Sequence, residues 1–319
     1  MDLFHDRSHV WLWSRVRGGY LHADEDGVGV SLRARRASMN AAWQVHLVPG
    51  EDGVTYLLLH SAAYGRYLAR TTAEAPPGHR GNAADLRLYT TPEQQDVLWV
   101  AVRNGNHVRL RHVYNGLLRA NGRYRRWLNG VSVDNDANTQ STMTHWTVEV
   151  IPPRDEPPAL LLPAPYALGR TGYEGLNILP HCNLQQHPEE SRRIIVYVQA
   201  DDLVNFDPNA TRTCYFYGRS VANLRSTLAN HLNEDCVDNI TTCARAGFQG
   251  RLTPLMVDLP RNQEPMFIVL FTTGSPGEKF CSFLSTMFTL VICLLSSAAV
   301  LVLLLWSCGT QMLMRSRGM

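Results

Sequence analysis

Arginine is the residue type whose clustering in this sequence most suggests chemistry. Two groups of arginines stand out, and the second is interleaved with aromatic side chains, a combination that binds anionic surfaces through charge, hydrogen bonds and ring stacking. We predict a partner-binding site that comprises Arg33, Arg35, Arg36, Arg119, Arg123, Tyr124, Arg125, Arg126 and Trp127. The alternative is a set of solvated loops in a chain that uses arginine in place of lysine, because Lys279 is its single lysine.

Signatures of catalysis and of cofactor binding are absent from the sequence. It contains no GxSxG, HExxH or P-loop segment, and Gly27-Val28-Gly29 lacks the third glycine of a dinucleotide-binding loop. The lone lysine excludes a Schiff-base or kinase-type phosphate site from most of the chain. Carboxylate pairs such as Asp201-Asp202 lie beside turns, where solvation explains them. We expect no enzyme activity, no cofactor and no metal site; a regulatory enzyme of unrecognised type is the alternative.

The first 151 residues contain three related segments of about 50 residues. Each segment has a Tyr-Leu or Leu-Leu pair after a turn and then a tryptophan that opens its last strand, at Trp43, Trp99 and Trp146. Apolar and polar residues alternate after these tryptophans as in half-buried antiparallel strands. Three all-β repeats predict a β-trefoil, with four strands from each repeat, whereas a propeller would need more blades. Equivalent positions in a threefold unit predict that the tryptophans are buried in the core.

The rest of the folded chain differs in composition. Residues 152–190 are rich in proline and predict a linker. Strands are predicted at 193–198, 213–217, 239–244, 252–259 and 266–271. Ser220 is the expected N-cap of a helix between the second and third of them. One face of that helix carries Val221, Leu224, Leu228 and Leu232. This order predicts a small α+β domain of β-grasp, ubiquitin-like shape.

The C-terminal region carries an uncharged stretch from Phe280 to Met314 that is apolar all round. We predict a transmembrane helix at 280–306 with a short C-terminal tail, since about 20 apolar residues span a bilayer. The alternatives are a buried core helix, or an error in the gene model that added this stretch to the protein. With no signal peptide at Met1 to Arg7, the prediction is a single-pass protein whose N-terminal domains are cytosolic, in a membrane that the sequence does not name. All seven cysteines lie after residue 180, which suits a reducing cytosol and free thiols.

Several segments resemble a plant family catalogued as a domain of unknown function. In the first half these are Met1-Asp2-Leu3-Phe4-His5 and Leu118-Arg119-Ala120-Asn121-Gly122. In the second half they are Phe216-Tyr217-Gly218-Arg219-Ser220-Val221, Leu224-Arg225, Arg245-Ala246-Gly247 and Gly250-Arg251-Leu252-Thr253-Pro254-Leu255. The resemblance implies a fascin-like trefoil, of the actin-cross-linking class, followed by a ubiquitin-like domain. It supplies no catalytic or ligand residue, and the apolar tail departs from it.

Together these features predict a non-catalytic binding or scaffold protein with domains at 1–151 and 191–273, a linker at 152–190 and a membrane anchor at 280–306. Residues 1–151 carry 17 Arg against 14 acidic residues, a local charge of +3, and the remainder carries 13 basic residues against 14 acidic ones. Charge therefore favours the trefoil as the site for filamentous actin, which the resemblance implies, or for another anionic protein surface. A net charge of +2 predicts no nucleic acid. A sugar-binding trefoil stays an alternative, although the sequence has no Gln-x-Trp triplet.

Overall fold

Twelve strands build the first domain of the computed structural model, which describes residues 3–50, 53–121, 129–152, 192–200, 207–234 and 236–275. The strands are β1 (His9–Ser14), β2 (Gly19–Ala23), β3 (Val30–Arg33), β4 (Trp43–Pro49), β5 (Thr55–Ser61), β6 (Tyr67–Glu74), β7 (Asn82–Arg87), β8 (Trp99–Asn104), β9 (His107–His112), β10 (Leu117–Ala120), β11 (Val131–Asp134) and β12 (Thr147–Ile151). Short 3-10 helices, Met39–Ala41 and Thr142–Thr144, precede β4 and β12. Each predicted repeat therefore contributes four strands.

Six of these strands close a barrel. β1 pairs with β4 and β12, β4 with β5, β5 with β8, and β8 with β9, always antiparallel. Val108 of β9 completes the ring by exchanging two backbone hydrogen bonds of 2.9 Å with Trp146, the residue before β12. The other six strands form the hairpins β2–β3, β6–β7 and β10–β11. The domain is a β-trefoil, which confirms the prediction from the repeats.

The tryptophans that open the closing strands explain why the sequence repeats. Trp43, Trp99 and Trp146 are fully buried. Each indole N–H donates to the backbone carbonyl of the second residue in the pair of its own repeat. The acceptors are Leu21 at 3.0 Å, Leu68 at 2.9 Å and Leu118 at 3.0 Å. A buried indole needs a partner for its one polar atom, and the leucines that supply these carbonyls are fully buried as well, so tryptophan and leucine recur together. The prediction that these tryptophans are core residues is confirmed.

The second domain is a five-stranded sheet with one helix packed against it. Its strands are β13 (Arg192–Gln199), β14 (Arg212–Tyr217), β15 (Ile240–Arg245), β16 (Leu252–Pro254) and β17 (Met266–Thr272), in the order β14-β13-β17-β15-β16. β13 and β17 are parallel, and the other neighbours are antiparallel. Two 3-10 helices lie at Pro208–Ala210 and Val237–Asn239. All described residues of both domains belong to one compact unit.

The helix α1 (Val221–Leu232) begins where the sequence predicts. The Ser220 hydroxyl accepts a hydrogen bond of 3.3 Å from the Asn223 amide, as an N-cap does. The apolar face packs on the sheet, although Leu232 is only partly buried. The strand predicted at 252–259 is too long, because β16 ends at Pro254. The apolar residues Leu255 and Leu259 are buried, but they lie in the loop that follows β16. The apolar run at 252–259 therefore indicated burial and not a continuous strand.

Two predictions, the membrane span and the linker, concern residues that the structure does not describe. Within the described residues, no helix has the length and apolar composition of a membrane span. The predicted span at 280–306 lies outside them, as does the predicted linker beyond Pro152. Cys214 and Cys236 are free thiols, but Cys243 is disulfide-bonded. The expectation of free thiols is wrong for Cys243, because spacing along a chain does not reveal which cysteines meet.

Candidate functional site

The loops that follow β3, β7 and β11 occupy equivalent positions in the three repeats, yet they differ strongly in composition. The loop after β3 contains Arg35-Arg36, the loop after β7 begins with Leu88-Tyr89, and the loop after β11 contains Asn135-Asp136. The core positions repeat because the barrel demands it, whereas surface loops are free to diverge. The trefoil therefore departs from threefold symmetry at these three loops.

The loop after β3, which we call the basic loop (residues 33–36), carries three residues of the predicted site. Arg33 is the last residue of β3, and Arg35 and Arg36 follow it. All three are exposed. Arg33 Nη2 lies 3.6 Å from Asp24 Oδ1, a long and solvated contact. The structure thus brings these three arginines to one exposed edge of the trefoil.

Arg36 is held on the barrel wall by a small polar cluster. Its Nη1 donates a hydrogen bond of 3.1 Å to Glu149 Oε2, and its guanidinium lies 4.8 Å from the centre of the Trp11 ring. The Tyr20 hydroxyl donates to the other oxygen of Glu149 at 3.4 Å. Trp11 and Glu149 are paired residues on β1 and β12. Stacking and a carboxylate partner therefore orient one arginine of the basic loop.

Arg119, the fourth arginine of the predicted site, has a different environment. Its side chain is only 14% exposed, and its Nη1 donates at 2.9 Å to Asp134 Oδ2. A second guanidinium nitrogen lies 3.1 Å from the Met143 sulfur. Loss of one member of such a partly buried pair leaves the other charge without compensation. Arg119 therefore contributes to the β10–β11 hairpin, in contrast to the exposed arginines of the basic loop.

The remaining residues of the predicted site, Arg123, Tyr124, Arg125, Arg126 and Trp127, lie outside the described residues. The residues that follow this segment adjoin the strand that leads into the basic loop. The Leu32 amide donates at 2.7 Å to the Asn129 carbonyl, and Ser31 forms a β-bridge with Gly130. The third repeat therefore meets β3 immediately before Arg33.

The loop after β7 contacts the second domain. The Tyr89 amide donates at 2.9 Å to the Ala246 carbonyl, and the Gln249 amide donates at 2.9 Å to the Tyr89 carbonyl. Gly247, between the two, has φ of +92°, and a β-carbon built on it would overlap the Tyr89 backbone. Only glycine combines this backbone conformation with this close approach. We call the whole contact between the two domains the junction.

Arg251 makes the largest group of contacts at the junction. Its amide donates at 2.9 Å to the Tyr67 hydroxyl, and its side chain donates at 3.3 Å to the Val45 carbonyl. The guanidinium also lies 2.9 Å from Asp6 Oδ1. One residue of the ubiquitin-like domain thus contacts the N-terminal segment, β4 and β6 of the trefoil.

Three further ion pairs cross the junction, one of them a long contact of 4.0 Å between Arg219 and Glu25. The Arg261 amide donates at 2.6 Å to the Glu25 carbonyl, and the Arg261 guanidinium lies 2.7 Å from the Glu25 carboxylate. The buried Arg66 of the trefoil pairs with the exposed Glu264. Backbone hydrogen bonds at separate places along an interface fix the orientation of the two partners as well as their contact. The two domains are therefore docked in a specific arrangement.

Histidines and tyrosines line the trefoil side of the junction. The Tyr67 hydroxyl lies 3.1 Å from His46 Nδ1, and Thr253 Oγ1 lies 3.3 Å from His60 Nδ1. Burial, reinforced by the charge of Arg251, lowers the pKa of His46 to about 4. Burial also lowers the pKa of His60 well below 6.5 and raises the pKa of Tyr67 above its usual value. At neutral pH these groups are therefore uncharged, and the Tyr67 hydroxyl accepts from the Arg251 amide while it shares a hydrogen bond with His46.

The pKa values of His46, His60 and Tyr67 suit these side chains poorly to acid–base chemistry. A general acid or base works best with a pKa near the working pH, and burial moves these groups away from it. Nor do the described residues contain any group of three or more His, Cys, Asp or Glu side chains that could hold a metal ion. The cluster instead supplies hydrogen bonds beneath the docked domain, through the Tyr67 hydroxyl, His46 Nδ1 and His60 Nδ1.

Sequence reasoning missed the junction, although one signal for it was present. The segments Arg245-Ala246-Gly247 and Gly250 to Leu255 carry the family resemblance of the second half, and they contain Ala246, Gly247, Arg251 and Thr253. Each of these four contacts the trefoil. Motif residues that lie mostly outside the predicted helix and strands were the available indication of a contact surface.

Solved structures resemble the trefoil at low sequence identity. A Caenorhabditis elegans protein of unknown function is 17% identical over 46% of this chain and 96% of its own, with a TM-score of 0.38. The ricin B-like lectin of Macrolepiota procera, solved with lactose, is 16% identical over 46% and 96%, with a TM-score of 0.36. The SDF2-like protein of Arabidopsis thaliana is 17% identical over 46% and 94%, with a TM-score of 0.38. These likenesses concern the fold.

Sequence comparison identifies the two domains individually. No curated protein matches the chain significantly. Residues 1–149 match the β-trefoil domain of unknown function DUF569. Residues 191–271 match the DUF569-associated ubiquitin-like domain. The two domains occur in the order that the family resemblance implied, and the resemblance is confirmed. The chain therefore belongs to the family in which a DUF569 β-trefoil is followed by its associated ubiquitin-like domain.

Proposed function

We propose that this chain is a non-catalytic binding protein whose basic loop contacts an anionic protein surface. The observation that carries the proposal is the departure from threefold symmetry at this loop. Of the three equivalent loops, the one after β7 is docked on the second domain and the one after β11 is acidic, so the basic loop alone is both positive and exposed. Filamentous actin is the first partner to test, because the sequence resembles actin-cross-linking trefoils.

The chemistry of the basic loop suits carboxylates on a partner. A guanidinium has five N–H donors, so the contacts of Arg33 with Asp24 and of Arg36 with Glu149 leave donors for other acceptors. The excess of three positive charges in residues 1–151 adds a favourable long-range attraction. Binding of this kind weakens as salt screens the exposed charges.

A membrane tether at 280–306 is the second part of the proposal. One trefoil offers one filament contact, so a single chain would bind filaments without linking them. An anchor in the membrane would cluster many chains, and the added binding sites would then act together. The docked ubiquitin-like domain would lie between the trefoil and the anchor in the chain. The proposed role is that of a scaffold between a membrane and an anionic filament or surface.

The basic loop predicts a specific loss of binding. Replacing Arg33, Arg35 and Arg36 together by Ser should lower the affinity of the full chain for filamentous actin about tenfold at low salt, since exposed ion pairs contribute roughly 0.2–1 kcal/mol each. Co-sedimentation at rising salt measures this. Wild-type pelleting should decline with salt more steeply than that of the variant.

The matched control removes the same charge elsewhere on the trefoil. Arg15, Arg103 and Arg111 are exposed, and their replacement by Ser lowers the net charge equally. The control should pellet nearly as well as the wild type. Equal losses in both variants would reduce the effect to net charge and remove the basic loop from the site. A separate variant, in which Arg123, Arg125 and Arg126 are replaced by Ser, tests the other predicted arginines.

The proposed tether predicts a change of fraction on truncation. A chain that ends at residue 278 should move from the membrane pellet to the soluble fraction, because it lacks the uncharged stretch from Phe280 to Met314. Flotation with liposomes and alkaline extraction measure this. Asn209 and Asn239, which head Asn-x-Thr sequons, are both exposed and should carry no glycan if the domains are cytosolic. A full chain that is soluble without detergent, or a glycosidase-sensitive mass shift, would contradict the proposed topology.

The alternative of a regulatory enzyme has its own test. An unbiased activity screen on the full chain should detect no turnover. Turnover abolished by one side-chain replacement, for example at His46 or Tyr67, would favour an enzyme over a scaffold. The buried and uncharged state of both groups supports the scaffold.

A further inference from the structure

A cavity of about 410 Å³ lies at the junction of the two domains. Arg66 and Leu88 of the trefoil line one side, and Thr211, Phe248, Met266 and Phe267 of the ubiquitin-like domain line the other. The volume falls in the range of pockets that hold small organic ligands, which is about 300–1,000 Å³. Because neither domain forms the cavity alone, its shape depends on the docked arrangement. The cavity is independent of the basic loop and of the function proposed for it.

The cavity has an apolar side that the protein leaves open to solvent. Phe248 is 66% exposed, and Leu88 is 42% exposed. Both side chains border the cavity from opposite domains, with Met266 and Phe267 also lining it. An exposed phenylalanine beside a concave apolar wall would gain contact area from a flat apolar ligand, which would be covered on two faces. This side therefore suits an aromatic ring system.

The other side of the cavity is positive. The buried Arg66 lines it and is paired with Glu264, which is exposed and so is screened by water. Burial, followed by the positive charges of Arg66 and Arg219, lowers the pKa of the neighbouring Arg193 to about 10. The charges of Arg66 and Arg219 are therefore felt at Arg193 behind the cavity, although the Glu264 carboxylate offsets them in part. An anionic group beside Arg66 would offset these charges further.

We propose that the junction cavity binds a small amphiphilic anion, a planar aromatic ring system that carries one carboxylate. The ring would lie between Leu88 and Phe248, and the carboxylate would accept hydrogen bonds from Arg66. Both domains would contact the ligand, so its binding would strengthen the docking of one domain on the other. The site is a sensor-type pocket, separate from the surface that contacts a macromolecular partner.

Calorimetric titration of the full chain in lipid nanodiscs with 1-naphthoate tests the proposal. The heat of titration into empty nanodiscs is subtracted, because naphthoate partitions into lipid. 1-Naphthamide has the same ring without the charge and should bind at least tenfold more weakly, as expected for a charge-assisted contact. Equal binding of acid and amide, or no binding of the acid at millimolar concentration, would overturn the assignment.

Three variants locate the site. Thr211→Trp places a large ring in the cavity from an exposed position and should abolish binding of naphthoate. Phe248→Ser should weaken it about tenfold, whereas Tyr114→Ser, at an aromatic residue that is 58% exposed and does not line the cavity, should leave it unchanged. Arg66→Gln should remove the preference for the acid over the amide. Undiminished binding to the Thr211→Trp variant would place the ligand elsewhere and refute the cavity as its site.

Discussion

Replacement of Trp146 by Ala is expected to destabilise the trefoil by about 3–5 kcal/mol, the cost of truncating a buried aromatic side chain. The side chain is fully buried, and the loss of its indole also leaves the Leu118 carbonyl without its donor. Total stabilities of roughly 5–15 kcal/mol make this a large fraction. Urea unfolding of the full chain, followed by tryptophan fluorescence and circular dichroism, measures the loss.

Equivalent and non-equivalent tryptophans supply the controls for this prediction. Trp43→Ala and Trp99→Ala should cost about as much, because both indoles have the same burial and the same kind of acceptor. Trp13→Ala should cost less, since Trp13 is only partly buried. A Trp146→Ala chain with unchanged stability but lost partner binding would make this residue a ligand platform and disprove its core role.

Replacement of Gly247 by Ala is expected to separate the two domains. Its φ of +92° costs any other residue about 1 kcal/mol, and the new β-carbon would overlap the Tyr89 backbone. To relieve the overlap the loop must move away from Tyr89, with the loss of two hydrogen bonds worth about 1 kcal/mol each. The total is about 3 kcal/mol. Scanning calorimetry should then resolve two transitions where the wild type has one.

Gly105→Ala is the matched control for this substitution. Gly105 has φ of +61°, and a β-carbon built on it meets nothing within 4 Å. This variant therefore carries the backbone strain without the overlap. Amide hydrogen exchange at Tyr89 and Gln249 should accelerate in the Gly247→Ala chain alone. Similar thermal shifts and exchange rates in both variants would mean that strain, and not the junction, sets the effect.

The trefoil could be predicted from the sequence because its characteristic residues, the tryptophan and the leucine pair, recur in all three repeats. In every repeat a buried indole reaches the same backbone carbonyl, which fixes the spacing, and the leucine that carries this carbonyl is itself fully buried, which fixes its apolar type. The helix α1 was predictable for a similar local reason, since Ser220 and the apolar face act within a few residues of each other. Where a physical requirement joins neighbours in the chain, the sequence carries a readable pattern.

The junction could not be predicted in this way. Arg251 and Tyr67 are 184 positions apart, and the contacts of Tyr89 with Ala246 and Gln249 run through backbone atoms, which leave no trace in residue type. The predicted arginine site was accessible only in part. Composition located the arginines, but it did not distinguish Arg119, which is paired with the buried Asp134, from the exposed arginines of the basic loop.

The pairing of β1 with β12 has a consequence for the synthesis of this protein. His9 lies opposite Ile151, so the first strand to leave the ribosome must wait for the last strand of the domain before its edge is covered. Until then the nascent chain exposes an unpaired strand edge together with apolar repeats, a combination that invites aggregation. Because the closing contacts join residues that are far apart in the chain, the barrel folds late and slowly, after most of the domain has been synthesised. The early repeats are therefore the part of this chain that most needs a chaperone during its synthesis.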